Sequence, residues 1–167
     1  MFDLYEIYNK PEKLIWYNEY ASLIKELIYS GEDYKVMRRC DAIQHIIKKS
    51  PSAAYVYAHY VLGERWPEAE RYILTYPEWT FHYAVNVIKD RWIEAEPILI
   101  NYPHWAYMYA RHMIKGRWIG AEKYIIQKPS TAYFYTKYVL KSRWEKAEEC
   151  IKASDTWWPE YATYFKL

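Results

Sequence analysis

The sequence has little glycine, little cysteine and little imbalance of charge, and each shortage excludes a class of protein. Its 4 glycines are scattered, so no glycine-rich loop for phosphates is present. Its 2 cysteines, Cys40 and Cys150, lie far apart and indicate neither a disulfide framework nor a cysteine-based zinc site. With 23 basic and 21 acidic residues, the net charge of +2 is too small for a protein that tracks a long nucleic acid.

Long apolar runs are also missing. No run approaches the roughly 20 residues of a membrane span. The first residues lack the charged and apolar regions of a signal peptide. The sequence therefore predicts a soluble, cytoplasmic protein with no membrane partner.

Aromatic residues are abundant, and they follow an internal repeat. The chain of 167 residues holds 21 tyrosines and 9 tryptophans, and the pair Arg-Trp returns every 26 residues, at 65–66, 91–92, 117–118 and 143–144. Proline and tyrosine keep the same interval, at Pro51, Pro77, Pro103 and Pro129 and at Tyr57, Tyr83, Tyr109, Tyr135 and Tyr161. A constant period of this length is typical of a stacked array. We divide it into five repeats, 39–64, 65–90, 91–116, 117–142 and 143–167.

Each repeat has the spacing of two short helices. Apolar residues three and four apart, such as Trp66, Ala69 and Ile73, predict the first helix. The repeated proline opens the second helix, and Gly116 is a candidate for a left-handed helix end. Pro97 should shift the start of its helix.

The predicted fold class is therefore all-α, a right-handed α-solenoid of about five two-helix repeats. Residues 39–167 form the array. Residues 1–38 do not keep the period and form an N-terminal helical cap, in which 11–29 is one amphipathic helix. The whole chain is a single domain, and the cap is also a candidate contact in a homo-oligomer.

The sequence of the second repeat resembles a known type of helical repeat. It runs Arg-Trp-Pro-Glu-Ala-Glu at 65–70, Pro-Glu-Trp at 77–79, Tyr-Ala at 83–84 and Val-Ile-Lys-Asp-Arg-Trp at 87–92. Over about 39–167 the chain resembles short, 26-residue α-helical repeat proteins of tailed bacteriophages, and it is remotely similar to Sel1-like and tetratricopeptide arrays. The phage likeness implies an accessory or counter-defence role in the host cytoplasm, in which a host nucleotide signal is bound and held.

Catalytic patterns are absent from the sequence. The five histidines form no His-x-x-x-His pair and no cluster with cysteine of metal spacing. Carboxylates recur in pairs, as in Glu68 with Glu70 and Glu94 with Glu96, but the start of a helix favours acidic residues through its dipole. We therefore predict no enzyme activity, no metal and no cofactor.

The repeated Arg-Trp pair has two interpretations. In the first interpretation the arginines, Arg91 and Arg117 among them, form a basic stripe for phosphates. In the second, each arginine pairs with an acid of its own repeat, such as Glu96 or Glu122. The tryptophans fill the core between repeats, or they offer a platform for a ligand.

Positions that differ between repeats are better candidates for a unique ligand, because stacking makes the same demand on every repeat. Two positions of the second helix, four residues apart, differ between successive repeats: Val56/Tyr60, His82/Asn86, Met108/His112 and Phe134/Tyr138. The residue just before the second member of each pair differs too, as His59, Val85, Arg111 and Lys137. Aromatic faces, hydrogen-bond donors and cations suit a nucleotide. The alternative is that this is a solvated outer face, which varies freely.

The resulting hypothesis is a non-enzymatic protein that captures a small anionic, nucleotide-like signalling ligand. The predicted ligand-binding residues are Trp79, His82, Asn86, Trp105, Arg111, His112, Arg91 and Arg117. The alternative is an adaptor that binds a host protein or peptide in its groove. A closed pocket with convergent arginine and aromatic groups favours the first function, and an open apolar groove favours the second.

Overall fold

The computed structural model describes Gln44 and residues 48–167, and all regular structure there is helical, without a strand. The all-α prediction is confirmed for this part of the chain. The predicted cap, 1–38, lies outside the described residues. The chain divides into two compact units, Met1–Val87 and Ile88–Leu167. Over the described range, no helix combines the length and the apolar character that crossing a membrane requires.

Three α-helices are described in the first unit. They are α1 (Pro51–Val56), α2 (Pro67–Ile73) and α3 (Pro77–Tyr83), and α1 packs against both of the others. A π-helical turn continues α1 over Tyr57–Leu62. The small residues Ala54 and Ala58 are fully buried, so the helices approach closely at those points.

Six α-helices lie in the second unit, where every residue is described. They are α4 (Glu96–Leu99), α5 (Pro103–Tyr109), α6 (Glu122–Ile125), α7 (Pro129–Tyr135), α8 (Glu145–Lys152) and α9 (Trp157–Phe165). Helix α5 packs on α6 and α7, and α7 packs on α8 and α9. One core joins the small residues of these helices to repeated tyrosines and aliphatic residues, among them Ala106, Ile125, Tyr135, Ile151 and Tyr161.

The repeated prolines begin their helices as predicted. Helices α1, α3, α5 and α7 each start at a proline, where the missing N–H has no partner to lose. Pro97 follows a 3-10 turn, Ile93–Ala95, which delays α4 until Glu96. The next repeat has the same turn at Ile119–Ala121 with no proline in its helix, so the delay does not require Pro97.

The ends of the second helices differ from the prediction. The left-handed residue before the Arg-Trp pair is Lys115, with φ of 56°, so the prediction of Gly116 is wrong. The equivalent residues Gly63, Lys89 and Lys141 are left-handed too. Each follows a π-helical turn, over Tyr57–Leu62, Ala84–Ile88, Ala110–Ile114 or Thr136–Leu140.

A π-helical turn adds one residue to an α-helix, and it sets where the helix ends. The left-handed residue comes six positions after the repeated tyrosine where the turn is present. In α9, which has no such turn, Lys166 is left-handed and comes five positions after Tyr161. The geometry of the repeat therefore decides which residue is left-handed, whether or not a glycine stands there.

Candidate functional site

The arginine of the Arg-Trp pair forms an ion pair in each of the four described repeats. Arg91 directs Nε and Nη2 to the two carboxylate oxygens of Glu96, at 2.5 and 3.1 Å. Arg117 binds Glu122 in the same way, at 2.6 and 3.0 Å. Both arginine side chains are about half exposed, but the forked edge that would hold a phosphate already holds a carboxylate.

The tryptophan of the pair belongs to the interior in three of the four repeats. Trp66, Trp92 and Trp144 are buried, and Trp118 is half-buried. The backbone N–H of each donates to the hydroxyl of the tyrosine 17 residues later, at 2.6 to 3.1 Å. In the first three of these repeats the bond joins the start of the first helix to the last α-helical residue of the second helix, and in the fourth it reaches the middle of α9.

Three of the predicted site residues gather in the first unit around one buried tyrosine. The rings of Trp79 and His82 lie 5.6 and 6.0 Å from the ring of Tyr55. Asn86 donates its side-chain N–H to the Tyr55 hydroxyl at 2.9 Å. His59 stacks on the same ring at 5.7 Å.

Two titratable members of this cluster, Tyr55 and His82, are uncharged at neutral pH. Burial raises the pKa of Tyr55 to about 12 and lowers the pKa of His82 below its ordinary value of 6.5. Both side chains are therefore neutral at pH 7. The predicted residues Trp79, His82 and Asn86 thus offer aromatic faces and an amide, but none of these three supplies a cation for an anionic ligand.

Arg111 stands in a different environment, in the second unit. It lies in the π-helical turn that follows α5, and its Nη1 donates to the hydroxyl of Tyr107 at 2.9 Å. Its guanidinium lies over the ring of Tyr138, 4.2 Å from the centroid. Within the part of the chain that the structure describes, no acceptor contacts its Nε and Nη2. Arg91 and Arg117 use the same two atoms to bind glutamates.

Lys137, one repeat later, is held by the same arrangement. Its ammonium donates to the hydroxyl of Tyr133 at 2.9 Å, four residues back, just as Arg111 donates to Tyr107. It lies 5.0 Å from the centroid of Tyr164, 27 residues ahead, which is also the separation of Arg111 and Tyr138. It lies 5.6 Å from the centroid of Tyr138 as well, so one exposed ring has both cations beside it.

Neither cation forms an ion pair with a carboxylate of residues 48–167. The hydrogen bond to Tyr133 is the main cause that raises the pKa of Lys137, and the carboxylate of Glu160 contributes a smaller electrostatic effect. The ammonium is therefore charged at neutral pH. Two positive charges beside one ring, neither held in an ion pair with a described carboxylate, are a suitable partner for an anion.

The other predicted site residues add less. Partial burial and the charge of Arg111 lower the pKa of His112, so this imidazole is neutral at pH 7. Trp105 is half-buried on α5. Its ring and the ring of His104 are arranged edge to face, with their centroids 4.8 Å apart. Among the described residues no group of three His, Cys, Asp or Glu side chains is placed to hold a metal ion.

The predicted site thus separates into a neutral group, a group of paired arginines and Arg111. The comparison between repeats of this chain did not select Tyr107 and Tyr138, which contact Arg111, and it gave Lys137 no role. One signal was available, because tyrosine stands four residues before both Arg111 and Lys137.

Comparison with family models, with curated proteins and with solved structures finds no match. The resemblance to phage repeats stays a prediction.

Proposed function

We propose that this protein is a non-enzymatic binding protein that captures a small anionic, nucleotide-like ligand at Arg111. One observation carries the proposal. The Nε and Nη2 edge of Arg111 meets no acceptor in the described residues, whereas the same edge of the repeated arginines holds a glutamate. That edge matches the paired oxygens of a phosphate or a carboxylate, and Tyr107 and Tyr138 hold the guanidinium in place beforehand.

The surroundings of Arg111 support a nucleotide over a bare inorganic anion. Lys137 adds a second positive charge beside the same ring. Phe134 and Tyr138 stack at 6.1 Å, and Tyr138 is 38% exposed, so aromatic surface is available next to the cations. Aromatic side chains bind bases through stacking worth about 1–3 kcal/mol per base.

The proposed function includes an arrangement of the repeats and a cellular setting. The repeats are proposed to stack as an α-solenoid, so that the second helices of successive repeats present one face to the ligand. The phage resemblance supports sequestration of a host signal, with the protein in the host cytoplasm. A chain that only holds its ligand releases it unchanged when it is denatured.

Titration calorimetry against mono-, di- and cyclic nucleotides tests the proposal. Arg111→Ala is expected to weaken binding about tenfold to a hundredfold, because a charge-assisted hydrogen bond contributes about 1.5–3 kcal/mol. The matched control is Arg117→Ala, which removes an equally charged and half-exposed arginine whose edge already holds Glu122. Equal losses in both variants would assign the anion to the repeated arginines. Absence of binding across the panel, or chemical turnover of any nucleotide, would refute the proposal.

One observation favours the adaptor as a second candidate. Ile93 and Ile119 occupy the same repeat position and are 58% and 74% exposed, and Tyr102 is 48% exposed. Exposed aliphatic and aromatic side chains are typical of surfaces that bind proteins. Pull-down from a host lysate with wild type and with Ile119→Glu tests this function. A partner captured by wild type and lost in the variant, with no nucleotide bound, would support the adaptor.

A further inference from the structure

We propose that the ligand of the Arg111 site ends in a phosphate monoester with two negative charges, and that a cyclic phosphodiester with one charge is discriminated against. This inference rests on the proposed function and specifies the class of nucleotide. It depends on the number of cations at the site, on their common position and on the residues that limit the site on either side.

The number of cations follows from a local arrangement that occurs twice. Arg111 and Lys137 each donate to a tyrosine hydroxyl at 2.9 Å, and each lies over the ring of a tyrosine 27 residues ahead. In both cases the tyrosines supply a hydroxyl acceptor and a ring face, and neither of these neutralises a charge. Neither cation is thus neutralised by an ion pair, and Glu160 contributes only the smallest of the effects that raise the pKa of Lys137.

The two charges are close enough to act on one ligand. Both lie within 6 Å of the centroid of Tyr138, at 4.2 Å for Arg111 and 5.6 Å for Lys137. Their separation is thus within about one Debye length, roughly 8–10 Å at ordinary salt, so their mutual repulsion is only partly screened. An anion that contacts Arg111 also feels the field of Lys137.

The cations do not continue along the array. The position of Arg111 and Lys137 is Val85 in the preceding repeat and Thr163 in the following one. A track for a polyanion needs positive charge at successive repeats, whereas the equivalent positions of the neighbouring repeats in the sequence hold an apolar residue and a hydroxyl. The pattern fits a compact group with two charges.

Phosphate chemistry then separates the candidate nucleotides. A phosphate monoester carries about −1.5 to −2 at pH 7, because its second pKa is about 6. Its free oxygens can take the fork of Arg111 and the ammonium of Lys137 together. A cyclic phosphodiester carries one charge and has two free oxygens, so it leaves one of the two cations without a full counter-charge.

The experiment compares adenosine 5′-monophosphate with 3′,5′-cyclic adenosine monophosphate, which share base and ribose, by calorimetry at pH 7.5. Wild type is expected to bind the monoester about tenfold or more tightly than the cyclic diester, since one additional charge-assisted contact corresponds to at least that ratio. The ratio should fall towards one in Arg111→Ala and in Lys137→Ala. Lys146→Ala removes an exposed lysine from α8 and is the control, in which the ratio should not change.

The possible outcomes are distinguishable. Equal binding of the two nucleotides, or tighter binding of the cyclic diester, would overturn this inference and leave the proposed function standing. A preference for the monoester that persists in Lys137→Ala would overturn the role of the second cation. Failure of both nucleotides and of the wider panel to bind wild type would refute the proposed function itself. The comparison in wild type needs no variant, so it holds even if a substitution impairs folding.

Discussion

Tyr161→Phe removes one hydroxyl that joins two helices, and we expect it to lower stability strongly. Tyr161 lies in α9 and is fully buried. Its hydroxyl accepts the backbone N–H of Trp144 at 3.1 Å and donates to the carboxylate of Glu148 at 3.2 Å. Phenylalanine keeps the ring and its packing, so the change isolates the two hydrogen bonds.

The expected loss follows from what the hydroxyl leaves behind. The Trp144 N–H would remain buried without its acceptor, which costs about 1–3 kcal/mol. The carboxylate of Glu148 would lose a donor, worth about 1.5 kcal/mol for a hydrogen bond to a charged group. Relaxation of the helix ends offsets part of this sum, so we expect a loss of about 2–4 kcal/mol. A domain is typically stable by about 5–15 kcal/mol, so the effect is large.

Urea unfolding followed by circular dichroism measures the change in free energy of unfolding. The midpoint should fall with little change in the denaturant slope, because the folded surface stays the same. The control is Tyr102→Phe, since Tyr102 is 48% exposed and its hydroxyl has no partner among the described residues. That variant should stay within about 0.5 kcal/mol of wild type. A loss at Tyr161 no larger than in the control would refute the idea that the hydroxyl holds the helices together.

Three further predictions use the same unfolding measurement. Trp92→Ala should cost about 3–5 kcal/mol because the indole is 1% exposed, whereas Val85→Ala, at a half-buried position, should cost under about 1.5 kcal/mol; similar losses would contradict the core role of the tryptophan. Lys115→Gly should stabilise the protein by about 0.5–1 kcal/mol, since it relieves about 1–2 kcal/mol of left-handed strain and adds about 0.5–1 kcal/mol of unfolded-state entropy. Gly116→Ala should be tolerated, because an added Cβ would meet nothing closer than 4.0 Å, and the reverse order of these two variants would restore Gly116 as the left-handed residue. The hydrogen bond from its arginine partner lowers the pKa of Glu148. The ionised form therefore stabilises the fold above the unfolded pKa of about 4.3, and that contribution disappears as the pH falls through the lower, folded pKa. Glu148→Gln should flatten the loss of stability on acidification, and an unchanged acid slope would count against the ion pair.

The helical elements could be predicted because their determinants recur in the sequence. Tyrosine returns 17 residues after the tryptophan in all four Arg-Trp repeats, and its hydroxyl accepts the tryptophan N–H each time. Proline begins the second helix in every described repeat except the last, whose α9 begins at Trp157. The left-handed lysines could not be predicted in this way. Lysine has no preference for that conformation, and the π-helical turn before it has no residue signature. The conformation belongs to the end of the helix itself, because Lys166 adopts it after α9 with no π-helical turn before it and no Arg-Trp pair after it.

The candidate site was predictable only in part. Comparing repeats selected Arg111, whose partners in the structure are tyrosines, but it also selected Trp79, His82 and Asn86, which surround Tyr55. Spacing within one helix can indicate that Tyr107 reaches Arg111. The contact between Arg111 and Tyr138 depends on how two second helices pack, and this information is not local to either segment.

Two uses of arginine within one repeat family explain why the residue type alone misleads. In the repeated position the arginine follows the left-handed residue by two positions and faces a glutamate five residues ahead, so its forked edge is occupied wherever the repeat occurs. In the π-helical turn, Arg111 has tyrosines within reach, and a tyrosine takes one N–H and one face of the guanidinium while leaving the charge and the fork available. A structural arginine is thus one whose neighbours supply the counter-charge. An arginine held only by neutral partners keeps its charge for a ligand, and this difference in partners makes Arg111 the centre of the proposed site.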